Sequence, residues 1–223
     1  MMKMFAMRIH QLGAVGSIDG PLCLDSTEIP QPAPGEVLIK VHACGVCHTE
    51  LDEIEGRTAP PVLPMTPGHQ VVGTVAGEGR DCRLGLLGQR VGVAWIHSAC
   101  GECSWCLEGR ENLCPDFRAT GRDAAGGYAE YMVIPEGFVH PLPQQIDDLE
   151  ATPLLCAGAV GFRSLHMCRL HNGQRLGLTG FGASGHLVLQ MARHLYPDSS
   201  VAVFARSLKE REFALELGAS WAG

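Results

Sequence analysis

Apolar and polar residues alternate in several short segments of the first 150 residues. The segments Val37–Ala43, Val71–Ala76, Arg90–Trp95 and Tyr128–Ile134 are apolar or alternate with a period of two. This pattern is typical of strands, in which successive side chains point to opposite faces of a sheet. Prolines cluster between the segments, at positions 30, 32 and 34 and again at 60, 61, 64 and 67, and they predict turns or extended connections there. The first 150 residues are therefore expected to form a β-rich domain.

The pattern changes in the last third of the chain. Glu150–His171 is rich in Ala and Leu and is predicted to be a linking helix. Beyond Arg175, apolar strands at Leu176–Thr179 and Val201–Phe204 alternate with helical segments at Leu187–Ala192 and Leu208–Leu217. A βαβα order predicts the first half of a doubly wound parallel sheet. We therefore expect an α/β fold with two domains, at residues 1–150 and 151–223.

Composition narrows the class of protein. Hydrophobic residues make up 46% of the chain and charged residues 18%, which excludes intrinsic disorder. The net charge of −7 argues against a nucleic-acid binder or an acidic-membrane binder. No apolar run approaches the roughly 18 residues of a membrane helix, and the first residues lack a secretion leader. The expectation is a cytoplasmic protein with a small-molecule partner.

Four of the ten cysteines lie in one short segment punctuated by Gly and Pro. Cys100, Cys103, Cys106 and Cys114 have the spacing C-x2-C-x2-C-x7-C. Four thiolates at this spacing can surround one tetrahedral Zn²⁺ and leave no position for water, which is typical of a structural site. An iron–sulfur cluster or disulfides in an oxidising compartment are the alternatives. We predict a structural zinc lobe at residues 97–115.

The remaining cysteines are scattered. Cys23, Cys82 and Cys168 have no partner pattern and are expected to be buried and inert, and Cys44 is also assigned to packing. Cys47, His69 and Cys156 offer two sulfurs and one imidazole, a donor set that suits a zinc site with an open fourth position. They are about a hundred positions apart, so spacing alone cannot group them, and each taken singly is typical of a core residue.

A glycine motif follows the first strand of the βαβα segment. Gly180, Gly182 and Gly185 form G-x-G-x-x-G between that strand and the next helix, the context in which the motif predicts dinucleotide binding. The first glycine permits a tight turn, the second allows a pyrophosphate to approach the backbone, and the third allows close helix–strand packing. The free amides of the helix N-terminus would face the phosphates. A plain structural turn is the alternative.

The end of the second strand of this segment bears on the choice of cofactor. A carboxylate there usually accepts the ribose hydroxyls of NAD, but the residues after Phe204 are Ala205, Arg206 and Ser207. Arg206, helped by Ser207 and Lys209, could pair with the 2′-phosphate of NADP. The alternative is a solvated surface arginine. We predict NADP(H) in preference to NAD(H).

Together these motifs resemble the zinc-dependent, medium-chain alcohol dehydrogenases in their order and approximate spacing. The resemblance rests on the Cys-His-Thr-Glu box at 47–50, the Gly-His-Gln segment at 68–70, the four-cysteine lobe at 100–114, Cys156, and the glycine loop at 180–185. It implies a GroES-like β-barrel catalytic domain joined to a Rossmann domain, of which residues 151–223 would be an incomplete N-terminal part. It also implies an active site in the cleft between the two domains.

The resemblance also implies roles for single residues. Cys47, His69 and Cys156 would hold the catalytic zinc, and Thr49 would take the alcohol proton by hydrogen bond. His48 would lie near the cofactor pyrophosphate, and Trp95 would line the substrate pocket unless it is a core residue. The implied reaction interconverts an alcohol and an aldehyde or ketone by hydride transfer with NADP(H).

Some features depart from the family pattern. Gln70 stands where Glu is common, Glu50 where Asp is frequent, and Asp52 where some members have a relay histidine.

Members usually have over a hundred further residues, so the chain resembles a C-terminally truncated member whose longer form would be a homo-oligomer. A zinc-binding fragment without turnover is one alternative. A quinone or enone reductase is another, although those enzymes mostly lack the zinc cysteines.

Overall fold

The computed structural model describes residues 2–16 and 20–223, which form two units, Met1–Leu155 and Cys156–Gly223. The strands of the first unit are β1 (Lys3–Ile9), β2 (Leu22–Glu28), β3 (Glu36–Cys44), β4 (Val71–Glu78), β5 (Arg90–Val93), β6 (Ile96–Ser98), β7 (Arg118–Ala119), β8 (Tyr131–Pro135) and β9 (Val139–Pro141). Its α-helices are α1 (His48–Ile54), α2 (Ser104–Leu107) and α3 (Asp148–Ala151). Short 3-10 turns occur at Glu111–Leu113, Glu136–Phe138 and Thr152–Leu155.

A five-stranded antiparallel sheet in the order β8-β3-β4-β5-β9 forms the centre of the first unit. The alternation in β3 buries Val37 and Ile39, which pair in register with Ile134 and Met132 of β8. Valines from β4 and β5 complete the same apolar core. The strands predicted at residues 37–43 and 71–76 are therefore confirmed. Alternation buries one face of β3, whereas the apolar start of β4 buries the consecutive residues Val71 and Val72.

The first thirty residues contain an antiparallel pair, β1 with β2, that the sequence analysis did not predict. β1 is joined to the rest of the unit by backbone hydrogen bonds, in which the N–H of Met7 donates to Tyr128 O at 2.7 Å and the N–H of Ile9 donates to Met65 O at 2.8 Å. Met4 and Ala6 are buried between exposed Lys3 and Phe5, so β1 alternates in its first half, whereas Ile9 is buried out of this phase. Apolar residues on both faces conceal the alternation in the sequence.

Three predicted elements differ in the structure. The segment predicted as one strand at 90–95 ends at Val93, and the strand predicted from Tyr128 begins only at Tyr131. The single helix predicted at Glu150–His171 is also wrong. That stretch contains α3, a 3-10 turn and a separate helix, because Pro153 lacks the N–H donor that a continuous helix needs and Cys156 has a non-helical ψ of −77°.

The second unit is built on a three-stranded parallel sheet. Its elements are α4 (Ala157–Met167), β10 (Arg175–Thr179), α5 (Ala183–Leu195), β11 (Ser200–Phe204), α6 (Leu208–Glu216) and β12 (Trp221–Ala222). The strand order is β10-β11-β12, and the core includes Leu189 and Ala192 of α5 with Val201 and Val203 of β11. Parallel strands joined by helices confirm the predicted βαβα order, and with it the expected fold class of an antiparallel β-rich part followed by an α/β part.

Helix packing in the second unit depends on a glycine. A Cβ atom at Gly161 of α4 would lie 2.7 Å from Val188 Cγ2 of α5, so a larger residue there would force the two helices apart.

Within the described residues, 2–16 and 20–223, none of the helices has the length and apolarity that crossing a bilayer requires.

Candidate metal centres and nucleotide-binding loop

Cys47 lies at the start of α1, where the turn geometry is set by a carboxylate. Its backbone N–H donates to Glu50 Oε2 at 2.7 Å, which forms the capping interaction of the helix. The hydroxyl Oγ1 of Thr49 lies 3.5 Å from Cys47 Sγ. The first turn of α1 therefore holds one sulfur and one hydroxyl side by side, as expected for the Cys-His-Thr-Glu box.

His69 is placed by the loop before β4 and is 1% exposed. Gly68 precedes it with a φ of +100°, a left-handed conformation that glycine adopts without cost. The imidazole Nδ1 lies 2.7 Å from Glu50 Oε1, and the Trp95 ring meets the imidazole edge-on at a centroid distance of 4.9 Å. Among the described residues, Nε2 has no hydrogen-bond partner. A buried ring nitrogen without a partner suits a metal ligand.

Cys156 is the residue directly after Leu155, the last of the first unit, and it lies at the N-terminus of α4. The donor atoms of Cys47, His69 and Cys156 lie within 4.8 Å of one another. The side chains that spacing alone could not group are therefore close together. Two sulfurs and one imidazole fit Zn²⁺, which accepts both donor types and keeps a fourth position for water or substrate at catalytic sites.

The four-cysteine segment folds around its own sulfurs. Sγ–Sγ distances are 3.5 Å for Cys100–Cys114, 3.6 Å for Cys103–Cys106 and 3.9 Å for Cys100–Cys106. Four sulfurs bound tetrahedrally to Zn²⁺ at about 2.3 Å are about 3.8 Å apart, so the observed distances fit that ion closely. The N–H of Cys103 donates to Cys100 Sγ at 3.3 Å, and the N–H of Cys100 donates to Cys114 Sγ at 3.4 Å.

The thiols of this lobe differ in acidity. Backbone N–H groups of Glu102 and Cys103 lower the pKa of Cys100 to about 7, because they stabilise its thiolate. Burial raises the pKa of Cys106 to about 12, because a desolvated sulfur resists negative charge when no cation is beside it. A bound cation would lower that pKa, because it would stabilise the thiolate.

The glycine loop connects β10 to α5. Gly180 has a φ of +82°, and a Cβ atom at Gly185 would lie 2.8 Å from Gly180 O, so both positions require glycine. A Cβ atom at Gly182 would meet nothing within 4 Å, so this position faces open space. The second unit has a cavity of about 460 Å³ that is lined by all three glycines and by the first turn of α5. Its open backbone amides suit phosphate groups.

The residues after β11 lie in different environments. Arg206 is exposed, and Ser207 caps α6: its Oγ accepts from the N–H of Glu210 at 3.2 Å and donates to Glu210 Oε2 at 2.9 Å. The guanidinium of Arg211 donates to Ala205 O at 2.7 Å and holds the turn. Arg206 is thus available to a ligand, whereas the Ser207 hydroxyl is already used by the helix.

The remaining residues singled out from the sequence are His48, Gln70 and several cysteines outside the two clusters. His48 is exposed, with Nε2 3.9 Å from Asp52 Oδ1, and Gln70 is buried. Cys44 is largely buried beside Gly68, and burial raises the pKa of its thiol to about 12, in agreement with the packing assignment. The prediction that Cys23 and Cys168 are buried is wrong, because both are exposed. Nothing in the sequence distinguished a surface thiol from a core thiol.

Sequence reasoning missed two ionisable residues, Glu53 and Arg122, near the His69 site. Glu53 on α1 is 0% exposed, and Arg122 lies with its guanidinium carbon 5.9 Å from the Trp95 ring centroid. The spacing of Glu50 and Glu53 by three residues could have placed both carboxylates on one face of a helix. Arg122 had no such signal, because it comes from a distant loop.

Comparison with known proteins identifies the relatives of the chain. The sequence matches the family described as "Alcohol dehydrogenase GroES-like domain" over residues 33–144, which is half of the chain. It is 45% identical over 220 residues to "Probable alcohol dehydrogenase AdhA" of Mycobacterium tuberculosis, which covers 96% of this chain and 63% of that protein.

Solved structures give the same result. A dehydrogenase from Sinorhizobium meliloti 1021 bound to NADP is 30% identical, with a TM-score of 0.85 over 100% of this chain and 62% of that chain. The cobalt- and zinc-bound thermostable alcohol dehydrogenase from Pyrobaculum aerophilum is 26% identical, with a TM-score of 0.88 over 99% of this chain and 65% of that chain.

The chain thus spans less than two thirds of the length of each of these proteins. The resemblance drawn from the motifs is confirmed: this chain belongs to the alcohol dehydrogenase family with a GroES-like domain.

Proposed function

We propose that this chain is the catalytic part and the first portion of the nucleotide-binding part of a zinc-dependent alcohol dehydrogenase. The reaction interconverts a primary or secondary alcohol and its aldehyde or ketone, with NADP(H) as the hydride acceptor or donor. One observation carries the proposal. The Nε2 atom of the buried His69 imidazole has no hydrogen-bond partner in the part of the chain that the structure describes, and the ligand atoms of His69 and Cys47, the cysteine beside Thr49, lie within 4.8 Å of each other.

Cys47, His69 and Cys156 are proposed to hold the catalytic zinc. When bound, Zn²⁺ supplies Lewis-acid stabilisation of the negative charge on the substrate oxygen. The contact of Glu50 Oε1 with His69 Nδ1 would fix the ring and direct Nε2 toward the metal position. Thr49 Oγ1, beside Cys47 Sγ, would accept a hydrogen bond from the alcohol hydroxyl and, as it takes that proton, would release its own hydroxyl proton to solvent.

Cys100, Cys103, Cys106 and Cys114 are proposed to hold a second, structural zinc. Their separations suit a closed tetrahedral site with no open position for substrate. The lobe has little apolar packing of its own, since Leu107 and Leu113 are exposed. The ion would therefore contribute most of the stability of residues 97–115.

The second unit is proposed to be the N-terminal part of a Rossmann domain that binds NADP(H). Gly180, Gly182 and Gly185 would receive the pyrophosphate, and His48 stands at the position for which the family resemblance implies a pyrophosphate contact. Exposed Arg206 would pair with the 2′-phosphate, and Ser207, whose N–H and hydroxyl are bonded to Glu210, would hold the turn that presents Arg206. NADP bound to the similar S. meliloti dehydrogenase supports this choice. The proposed location is the cytoplasm, and the proposed assembly of a longer form is a homo-oligomer.

Turnover by the purified 223-residue chain tests this function. Zinc-loaded protein is expected to oxidise NADPH with at least one member of a panel of aldehydes and ketones, and Cys47→Ser is expected to abolish that activity. Cys168→Ser, at an exposed cysteine outside both clusters, is the matched control and should retain it. A protein that binds zinc but turns over nothing would favour the second candidate, a non-catalytic zinc-binding fragment.

A further inference from the structure

Glu53 is a fully buried carboxyl group that the proposed reaction does not use. It lies on the inner face of α1 beside Ile54, and its exposed fraction is 0%. Neither Oε1 nor Oε2 has a hydrogen-bond partner among the described residues. A carboxylate in this position would lose its hydration without compensation, whereas a neutral carboxylic acid loses much less. The burial therefore favours the protonated form of Glu53.

Glu50, one helical turn earlier, lies in the opposite environment. Its Oε2 accepts from the N–H of Cys47 at 2.7 Å, and its Oε1 lies 2.7 Å from His69 Nδ1. The two buried carboxyl groups on one helix face therefore differ in their contacts: Glu50 meets the Cys47 N–H and His69, whereas Glu53 has no hydrogen-bond partner among the described residues.

The ionisable groups around Glu53 also favour its neutral form. Glu50 and Asp52 of the same helix and Asp123 of the loop after β7 disfavour a negative charge on Glu53, and Arg122 opposes them. Arg122 is already paired with Asp123, through contacts of 3.1 Å and 2.7 Å to its two carboxylate oxygens. Burial, with Glu50 second, raises the pKa of Glu53 to about 8.

Tyr128 is a further buried polar side chain whose acidity is affected by both Glu50 and Glu53. Its hydroxyl is buried without a hydrogen-bond partner among the described residues. Burial raises the pKa of Tyr128 well above its usual range, with Glu50 the next cause and Glu53 among the others. Tyr128 therefore stays neutral and supplies no positive charge to stabilise an ionised Glu53.

We propose that Glu53 is a positioning residue for the His69–Glu50 pair: it is held as an uncharged acid, and its ionisation in alkaline solution disturbs that pair. The inference rests on the proposed function only in naming His69 as a metal ligand. The direction in which pH changes the stability of the folded protein follows from proton linkage. Between the ordinary pKa of Glu, about 4.3, and the raised value, the folded protein keeps a proton that the unfolded chain releases. Stability therefore falls as pH rises through this interval.

Carboxyl-carbon NMR of ¹³C-Glu-labelled protein tests the proposal, together with side-chain ¹⁵N NMR of His69 in the zinc-loaded chain. The Glu53 resonance is expected to titrate near pH 8, and the His69 nitrogen resonance should shift with the same midpoint. Glu53→Gln should remove the His69 step. The Tm of Glu53→Gln minus the Tm of the native chain should increase by about 3 °C or more between about pH 5 and pH 9, because only the native chain has a carboxyl group to ionise at this position.

Glu55→Gln is the control, since it makes the same chemical change on an ion-paired carboxylate at the end of α1. It should leave the His69 step in place. A Glu53 midpoint below about pH 6, or a His69 resonance that does not follow Glu53, would overturn the proposal. The native chain alone supplies both readings if Glu53→Gln does not fold. Failure to load zinc would count against the proposed function, and the Glu53 titration in metal-free protein would then decide this inference separately.

Discussion

Oε1 of Glu50 lies 2.7 Å from Nδ1 of His69, and both side chains are almost completely buried. The contact fixes the imidazole from behind and leaves Nε2 for a ligand. The same carboxylate accepts from the backbone N–H of Cys47 through its other oxygen. One side chain therefore connects the helix that bears one sulfur donor with the loop that bears the nitrogen donor.

Replacing this carboxylate should weaken metal binding. We expect Glu50→Gln to reduce zinc affinity at the Cys47 site by about 10- to 100-fold, because an amide orients the imidazole less well and removes a negative charge. Competition with a chromogenic chelator would measure the change. Glu108→Gln, on an exposed carboxylate of the cysteine lobe, should leave the affinity unaltered. Equal affinities for the Glu50 and Glu108 variants would contradict the role assigned to Glu50.

The cysteine lobe should depend on its metal. Cys103→Ser is expected to reduce the zinc content from about two ions per chain to about one and to make residues 97–115 sensitive to protease. Mass-spectrometric metal analysis and limited proteolysis would measure both effects. Cys23→Ser, at an exposed cysteine, is the control. Unchanged zinc content in Cys103→Ser would show that the four sulfurs do not share an ion.

The loop that presents His69 should not tolerate a side chain at Gly68. Its φ is +100°, and an added Cβ would lie 2.5 Å from Tyr128 Cδ1 and 2.9 Å from Cys44 Sγ. We expect Gly68→Ala to lower the free energy of unfolding by about 2 kcal/mol or more. Gly137→Ala meets no atom within 4 Å and should change it little. Comparable denaturation midpoints for the two variants would refute this reading of the loop.

Cofactor choice should depend on Arg206. The loss of a charge-assisted contact to the 2′-phosphate predicts that Arg206→Ala raises the Kd for NADPH by about 10-fold or more, while the Kd for NADH changes little. Fluorescence titration of the two cofactors would measure this difference. Arg175→Ala, at an exposed arginine at the start of β10, serves as the control. A native chain that binds NADH more tightly than NADPH would remove the basis for the prediction.

The parts of the fold that the sequence predicted are those with local causes. The alternation in β3, the apolar run in β4 and the glycine loop between β10 and α5 depend on neighbouring residues, so the sequence alone predicts them. The helix break near Pro153 and the strand β1 were missed because mixed composition concealed the local signals.

The candidate sites also differ in whether residues close together in the sequence are enough to predict them. The four-cysteine spacing could be recognised because its ligands lie within fifteen positions of one another. Cys47, His69 and Cys156 could be grouped only through the family resemblance, because the fold and not the local sequence brings their donor atoms close. Glu53 and Arg122 were not identified, since the burial of one and the approach of the other arise only from tertiary packing.

The central claim is a catalytic zinc with mixed ligands beside a structural zinc with four sulfurs. Zinc K-edge X-ray absorption on the zinc-loaded chain, combined with metal analysis, tests it most directly. We predict about two zinc ions per chain, with an average of about three sulfur ligands at about 2.3 Å and about one nitrogen or oxygen ligand at about 2.0–2.2 Å per zinc. One zinc per chain surrounded by four sulfurs alone would contradict the claim.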